Sequence, residues 1–539
     1  MPFNTVSCVL DSLFESIHIW VQVRVLMAWR WRRVWGREEE TFNQRGIGKG
    51  HRENLSVTMK RLLTILFVFT LGSTLTLQGA GLRVGTAVVD ISPTVKPFQL
   101  RSGKSTYVHD PLHVRAVAFE NGQGRVVIAV VDAIGVGREM CDEAKADVAK
   151  VTGWKPEHML IAGTHTHTAP KGGDTSPGRI AYEKTRREGL RQALIKAIQS
   201  LEPAKVGFGS AEEASEVYNR RWYLKPGRMD LNPWGLKDKV RMNPPRDAIV
   251  KPAGPIDPEL CVVYARTSRG KPLGLVANYA LHYVGGIPRV TEKDGRVVGM
   301  ASADYFGEFA RIMPHRVGGL NPPANFVALM SNGASGDINN IDFDRKRPPR
   351  APFEQVRVVA TKMATAAWIA VKGIETYHDN PIIAVRQRVV ELRYRIPTEA
   401  EVARARKVLA LPPKEREAIL GWHRKASSYA SKTLQFAAPD APRTEKVIVQ
   451  AIRIGDQAIV SMPFEVLVEI GLEIKDKSPF QRTFLIELAN GGYGYLPPPH
   501  QHELGGYETW LGTSRFLPNA STLLTRNLLE MLKELKAAD

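Results

Sequence analysis

Cysteine is scarce in this chain. Its 539 residues include three, Cys8, Cys141 and Cys261, too few for a disulfide framework or a cysteine-rich zinc site. Acidic charge is also in deficit, with 55 Asp and Glu against 74 Lys and Arg and a net charge of +19. That balance favours anionic surfaces such as phospholipid head groups or envelope polymers. It fits a peripheral contact with an anionic membrane. No RRM, KH, zinc-finger or helix-turn-helix pattern is present, so nucleic acid is not the expected partner. Beyond residue 81 no apolar run is long enough to span a bilayer. Internal repeats are lacking too, which argues against a solenoid. With 43% hydrophobic residues, what remains is a globular chain able to bury a sizeable core as one large α/β domain.

The N-terminal region reads differently. From Met59 the sequence runs MKRLLTILFVFTLGSTLTLQGAG. Two basic residues, an apolar run and a small-residue close are the layout of a secretory signal peptide. The expectation is a signal over 59–81, a mature chain starting near Gly81, and a secreted or periplasmic protein. Residues 1–58 carry no strand or domain pattern and read as a misannotated or disordered leader.

Along the body of the chain, RAVAFENGQGRVVIAVV reads as a hairpin turning at Asn121–Gly124. GREMCDEAKADVAKVTG reads as an amphipathic helix closed by Gly153, and HMLIAGT as the next strand. Strand–helix–strand is the signature of a partly parallel sheet. PLGLVANYALH and NFVALMSNGASGD are further strands. VIVQAIRIGDQAIVSMPFEVLVEIGLEIKDKS is a hairpin followed by a helix, and RTFLIELANGGYGY is a late strand. Residues 222–256 read as a long loop, and 397–440 as a helical insertion. The fold class expected is α/β: a large mixed, partly parallel sheet flanked by helices, with its site at strand C-terminal ends.

The chemistry-bearing residues gather where strands stop. His165 and His167 follow LIAGT, His282 follows NYAL, Glu465 follows SMPF, and Tyr495 follows a Gly-rich turn. The crevice outside the carboxyl ends of strands is where open α/β sheets bind ligands. Imidazoles and a carboxylate converging there suit zinc, whose catalytic sites use nitrogen and oxygen ligands. Alone, each residue also fits a plainer role. Tyr495 fits a buried aromatic capping a backbone group, Glu465 the positive end of the following helix, and Arg220 a surface ion pair. His500 and His502 in PPPHQH form a second, loop-borne pair. Asp304 and Asp337 fit either turn or supporting roles.

Several segments together resemble the neutral/alkaline, non-lysosomal ceramidase family, as a divergent bacterial-type member of its N-terminal catalytic domain. THTHTAP is similar to the ATHTHSGP-type motif, and NYALH to the strand ending in a second metal histidine. YNRR is similar to an asparagine–arginine segment, and SNGASGDINN to an SNxGDVSPN loop. MPFE is similar to a PGEF turn, and ELANGGYGYLPP through GGYETW to a late tyrosine-bearing loop. In order they run over roughly 82–535. The resemblance implies zinc held by His165, His282, Glu465 and Tyr495. It gives active-site roles to His167, Arg220 and Tyr507, with Arg221 adjacent to Arg220. It implies hydrolysis of an N-acyl lipid amide, small-molecule or sphingolipid-like, by zinc-activated water.

One position departs from the family pattern. Asn339 stands where the family has a serine considered important for catalysis, and an amide cannot be that nucleophile. Family members also carry a C-terminal immunoglobulin-like domain, which is not expected here. Two other readings therefore stand beside the amidohydrolase. One is a zinc hydrolase of another ester or N-acyl substrate; the other is a non-catalytic surface or polymer-binding protein on the same fold.

Overall fold

The computed structural model describes residues 81–418 and 425–537. The expected leader and, apart from Gly81, the expected export segment lie outside the described residues, as does Cys8. Eight strands form the larger sheet. They are β1 (Arg83–Asp90), β2 (His113–Glu120), β3 (Arg125–Val131), β4 (Met159–Gly163), β5 (Glu202–Glu212), β6 (Glu259–Thr267), β7 (Pro272–Tyr279) and β8 (Val327–Asn332). The order across the sheet is β8-β7-β6-β5-β1-β2-β3-β4. Pairing is antiparallel through the middle and parallel at both edges, β7 with β8 and β3 with β4. The expected mixed, partly parallel sheet is present, with its parallel pairs at the margins.

A parallel pair needs a crossover, and α1 (Arg138–Thr152) supplies it between β3 and β4. Gly153 ends this helix in the left-handed region, φ 71°, where its N–H reaches the Ala149 carbonyl. A side chain there would be strained, so glycine is the natural stop.

β3 and β4 read as unbroken apolar runs because both of their faces are covered. Val127, Ala129, Val131, Met159 and Ile161 point toward α1 and α2 (Pro177–Gln199). The alternating Val126, Ile128, Val130, Leu160 and Ala162 point the other way. Farther along the same helical face, α3 (Asp304–Gly318) and α4 (Glu354–Lys372) cover β6, β7 and β8.

The opposite face meets a second sheet, which the sequence did not separate from the first. It comprises β9 (Ile383–Arg393), β10 (Thr444–Ile454), β11 (Gln457–Ser461) and β12 (Arg482–Ile486), in that order, with β11 and β12 parallel. Ile452, Ile454, Ile459, Phe484 and Ile486 pack directly on the larger sheet's inner side chains. Each such side chain, fully buried, contributes about 1.5–3 kcal/mol.

Between β9 and β10 lie α5 (Glu399–Ala410), α6 (Pro413–Ala418) and α7 (Ala426–Ala437). Beyond β11 come α8 (Val468–Lys477), α9 (Pro499–Leu504) and α10 (Ala520–Lys536). Helices α8 and α10 close the second sheet's outer face, giving four layers, helix–sheet–sheet–helix.

Residues 222–256 are not a plain loop. Arg221–Leu224, Val240–Met242 and Ile249–Pro252 form a small three-stranded sheet. Their proline- and charge-rich composition hid the short strands. Cys141 and Cys261 are buried and unpaired, which answers the pairing question left open by the sequence.

Candidate metal centre

Three parallel strand pairs, two in the larger sheet and one in the smaller, bring their C-terminal ends to one place. Backbone bonds stitch these ends together. Asn490 N–H donates to Ile161 O at 2.7 Å, Glu487 N–H to Asn332 O at 3.1 Å, and Gly333 N–H to Tyr279 O at 2.9 Å. The side chains that follow these strands therefore meet.

His165 follows β4 and has φ 65°. A non-glycine residue in the left-handed region is uncommon and concentrates at functional sites. Residues two apart on an extended segment share a face, so His165 and His167 are spaced to reach one pocket, and the turn sits where the strand ends. The surrounding threonines hold the turn in place. Thr166 and Thr168 hydroxyls both donate to Ser302 O, at 2.8 and 2.9 Å.

His165 Nε2 lies 3.1 Å from His282 Nε2 and 3.1 Å from His167 Nε2. The ligand atoms of these three histidines all fall within 4.8 Å of one another. Glu465 Oε2 approaches His165 Nε2 at 3.3 Å and His282 Nε2 at 3.7 Å. That oxygen is buried and has no hydrogen-bond donor aligned on it.

The far sides of the rings fix their tautomers. His165 Nδ1 contacts Ile134 O at 2.7 Å and His282 Nδ1 contacts Ser335 O at 3.1 Å. Carbonyls only accept, so both Nδ1 atoms carry the proton and both Nε2 atoms present lone pairs. Two lone pairs at 3.1 Å repel each other unless positive charge stands between them. The chemistry of this donor set fits zinc.

His167 differs. Its Nδ1 faces a guanidinium, Arg101 Nη1, at 3.5 Å. Arginine only donates, so this long contact favours the tautomer with the proton on Nε2, aimed inward. Its ring also stacks on Tyr283, centroids 3.7 Å apart.

The electrostatics agree. Burial opposes charge on His165, but Glu465, the Ile134 carbonyl and Glu487 outweigh it and raise its pKa. Burial, then His165 and Arg220, hold His282 well below the ordinary histidine value. His167 is lowered by burial, then by His165 and Arg101. Burial pushes Glu465 up, but His165, Tyr495 and Arg220 bring it below its usual value. The pocket attracts one positive charge between its imidazoles.

Tyr495 is buried and hydrogen-bonds Glu465, while Arg220 Nη2 donates to its hydroxyl at 2.9 Å. The Tyr507 ring lies 5.5 Å from the Tyr495 ring. Of the two adjacent arginines, Arg220 is the one in the site. Arg221 turns away to Gln501 Oε1 at 3.0 Å and Gly505 O at 2.7 Å.

Asn339 bonds Asn243 Oδ1 at 2.7 Å and the Ile341 N–H at 2.9 Å, rather than the histidines. His500 is exposed and pairs with Glu469 at 2.8 Å; neither it nor His502 belongs to the histidine cluster. Asp304 accepts from the backbone N–H groups of Val284 and Gly285 at 3.1 and 2.8 Å, fixing the chain just after His282. Asp337 accepts from Asn219 Nδ2 at 2.9 Å and Val468 N–H at 2.8 Å, bracing the segments that carry Arg220 and Glu465.

Two supporting carboxylates were missed by the sequence reading. Glu508, fully buried, bridges Arg220 Nε at 3.0 Å and Arg221 Nη1 at 2.7 Å. Glu487, also fully buried, accepts from Ser335 Oγ at 2.5 Å and Val466 N–H at 2.7 Å. It thus holds both Ser335, whose carbonyl orients His282, and the residue after Glu465. Both acids lie inside GGYETW and ELANGG, so their motifs were in view while their partners, far off in sequence, were not.

A groove of about 810 Å³ between α1 and α2 lies apart from this centre. Its charges pair with one another, Arg187 with Glu183 and Arg191 with Glu188.

No protein-family profile matches the chain. Over 223 residues it is 24% identical to neutral ceramidase A of Dictyostelium discoideum, covering 37% of this chain and 28% of that protein. Over 210 residues it is 26% identical to neutral ceramidase B of the same organism, covering 36% and 26%. The chain thus matches little more than a quarter of the length of these curated relatives. In fold it is similar to the crystal structure of neutral ceramidase from Pseudomonas aeruginosa, with TM-score 0.60 and 17% identity, over 85% of this chain and 75% of that one. A ceramidase complexed with C2 gives TM-score 0.62 and 16% identity, over 85% and 76%. In sequence over a limited stretch, and in fold over most of its length, this chain is similar to the neutral ceramidases.

Proposed function

We propose that this protein is a zinc-dependent amide hydrolase of ceramidase type, cleaving an N-acyl amide. The observation that carries the reading is the pair of inward lone pairs on His165 and His282, 3.1 Å apart beside the Glu465 carboxylate. Zinc would be held by His165, His282 and Glu465, with Tyr495 beside them. Zinc, when bound, supplies Lewis acidity and acidifies a water near neutral pH.

The chain's own residues do the rest. His167, kept neutral by its lowered pKa, presents Nε2–H as a hydrogen-bond donor where charge develops on the amide carbonyl. The Arg220 guanidinium holds the Tyr495 hydroxyl against Glu465 and adds fixed positive charge near the reacting group. The Tyr507 hydroxyl, raised to about 12 chiefly by burial, stays protonated as a second donor. None of these steps uses a serine, so Asn339 is compatible with turnover as a side chain that shapes the wall. Export, proposed from the Met59 segment, would deliver the enzyme to substrates outside the cytoplasm. N-terminal sequencing of the exported protein checks it.

The test is zinc content together with hydrolysis. About one zinc per chain and release of fatty acid from N-acyl amides are expected. Full zinc occupancy with no turnover on a broad amide panel would refute the amidase reading. Turnover of esters alone would favour the ester hydrolase.

A further inference from the structure

Beside the histidines lie cations that no carboxylate among the described residues neutralises. Arg101 sits on the hairpin formed by Phe98–Leu100 and Gly103–Ser105 and reaches within 3.5 Å of His167 Nδ1. The Lys171 backbone N–H bonds Gln99 O of that hairpin at 2.6 Å, which places it beside Arg101. Lys425 stands just before α7. The charges that act on Lys425 are those of Arg101 and Lys171, both positive. All three side chains are exposed. Among the described residues none of the three makes an ion pair, whereas Arg138, Arg186, Arg241 and Arg388 each do. Farther along α7, Lys432 likewise feels the charges of Arg515 and Lys425.

Like charges clustered without counter-charges destabilise a fold modestly. Here they gather around His167, on which the charges of both Arg101 and Lys425 act. A neutral lipid amide gains nothing from them. We propose that the substrate of this site is an N-acyl amide whose amine portion carries a negative charge, a carboxylate or a phosphate, which Arg101, Lys171 and Lys425 receive. The inference rests on the amidase reading above and narrows its substrate class. Contact of Arg101 with His167 favours a substrate role over membrane docking, because a head-group patch has no need to reach the catalytic imidazole.

The test compares dissolved amides that share one acyl chain: N-dodecanoylglycine, N-dodecanoylethanolamine phosphate and neutral N-dodecanoylethanolamine. At low salt, kcat/KM for at least one anionic amide should exceed that for the neutral one by on the order of 10-fold, mostly through KM. The carboxylate and phosphate arms distinguish the two sources of charge. The advantage should shrink near ~1 M salt, where screening acts over about 3 Å. A Lys171→Gln, Lys425→Gln double variant should lower the ratio and keep the zinc content. Equal or better turnover of the neutral amide would overturn the proposal while leaving the amidase reading intact. Turnover of none of the three would sink both. A preference for anions that disappears for dissolved amides and returns only on phosphatidylserine vesicles would assign these cations to membrane docking and overturn it as well.

Discussion

Replacing Glu508 by glutamine tests whether the site depends on charge that never touches substrate. The carboxylate is fully buried between two guanidinium groups, 3.0 Å from Arg220 Nε and 2.7 Å from Arg221 Nη1. Glutamine keeps the shape but offers one acceptor oxygen, and its NH2 group then faces an N–H donor. Removing one partner of a buried pair costs about 3–5 kcal/mol. The lower end applies here, because Arg221 retains Gln501 and Gly505 O, and Arg220 retains Tyr495 and the field of Glu465. A loss of about 3 kcal/mol is therefore expected. In a domain of this size the unfolding entropy is on the order of 1 kcal/mol per kelvin, so Tm should fall by only about 3 °C. Turnover should fall much further, roughly 10²-fold, because Arg220 would no longer be held against the Tyr495 hydroxyl. The assay is differential scanning calorimetry beside initial rates on the same preparation. Wild-type rates with a lowered Tm would show that Glu508 serves the fold alone, and the reasoning would fail.

His165→Ala and His282→Ala should each lose most of the zinc, whereas His167→Ala should keep it and lose turnover; elemental analysis beside kinetics separates ligand from donor. Asn339→Ala should retain measurable turnover, since the lost bond to Asn243 is worth about 1 kcal/mol, and Asn339→Ser should be tolerated. Glu487→Gln should weaken zinc binding about 10–100-fold, read by chelator competition. Burial pushes Glu487 up to about 8 from 4.5. The folded, metal-free chain therefore holds its proton where the unfolded chain has released it. That stability is fully present below about 4.5 and is lost as pH rises toward about 8. Urea midpoints of metal-free wild type should fall over that window, and those of Glu487→Gln should fall less.

The strand–helix–strand unit at β3–α1–β4 was legible because its pattern is local: a hairpin turn, one amphipathic helix and a glycine stop. The second sheet was not legible as a separate layer. Its inner strands are apolar on both faces, and such runs do not say which sheet they join. The histidines and Glu465 could be read because each directly follows a strand. The left-handed turn at His165 could not be read in the same way. Only the folded backbone shows which residue bears the positive φ. Glu487, Glu508 and Arg101 were hidden for a common reason. An isolated charge announces itself in a sequence, but its partner comes from a distant segment.

The proposed ligands are divided between the two sheets. His165 and His282 hang from strands of the larger sheet, whereas Glu465 and Tyr495 follow strands of the smaller one. An ion gripping all four would act as a cross-link between halves of the chain that otherwise meet through apolar packing and a few hydrogen bonds at the strand ends. Affinity for the ion and docking of the sheets would then be one linked equilibrium. Truncating Phe484 or Ile486, deep between the layers, would loosen the ion without touching it, and stripping the ion would ease the layers apart. Assembly would also have an order. The ligand set is incomplete until Tyr495 has been made and both sheets have closed, so loading belongs to the last stage of folding. The chain would take up its metal in whichever compartment it finishes that closure.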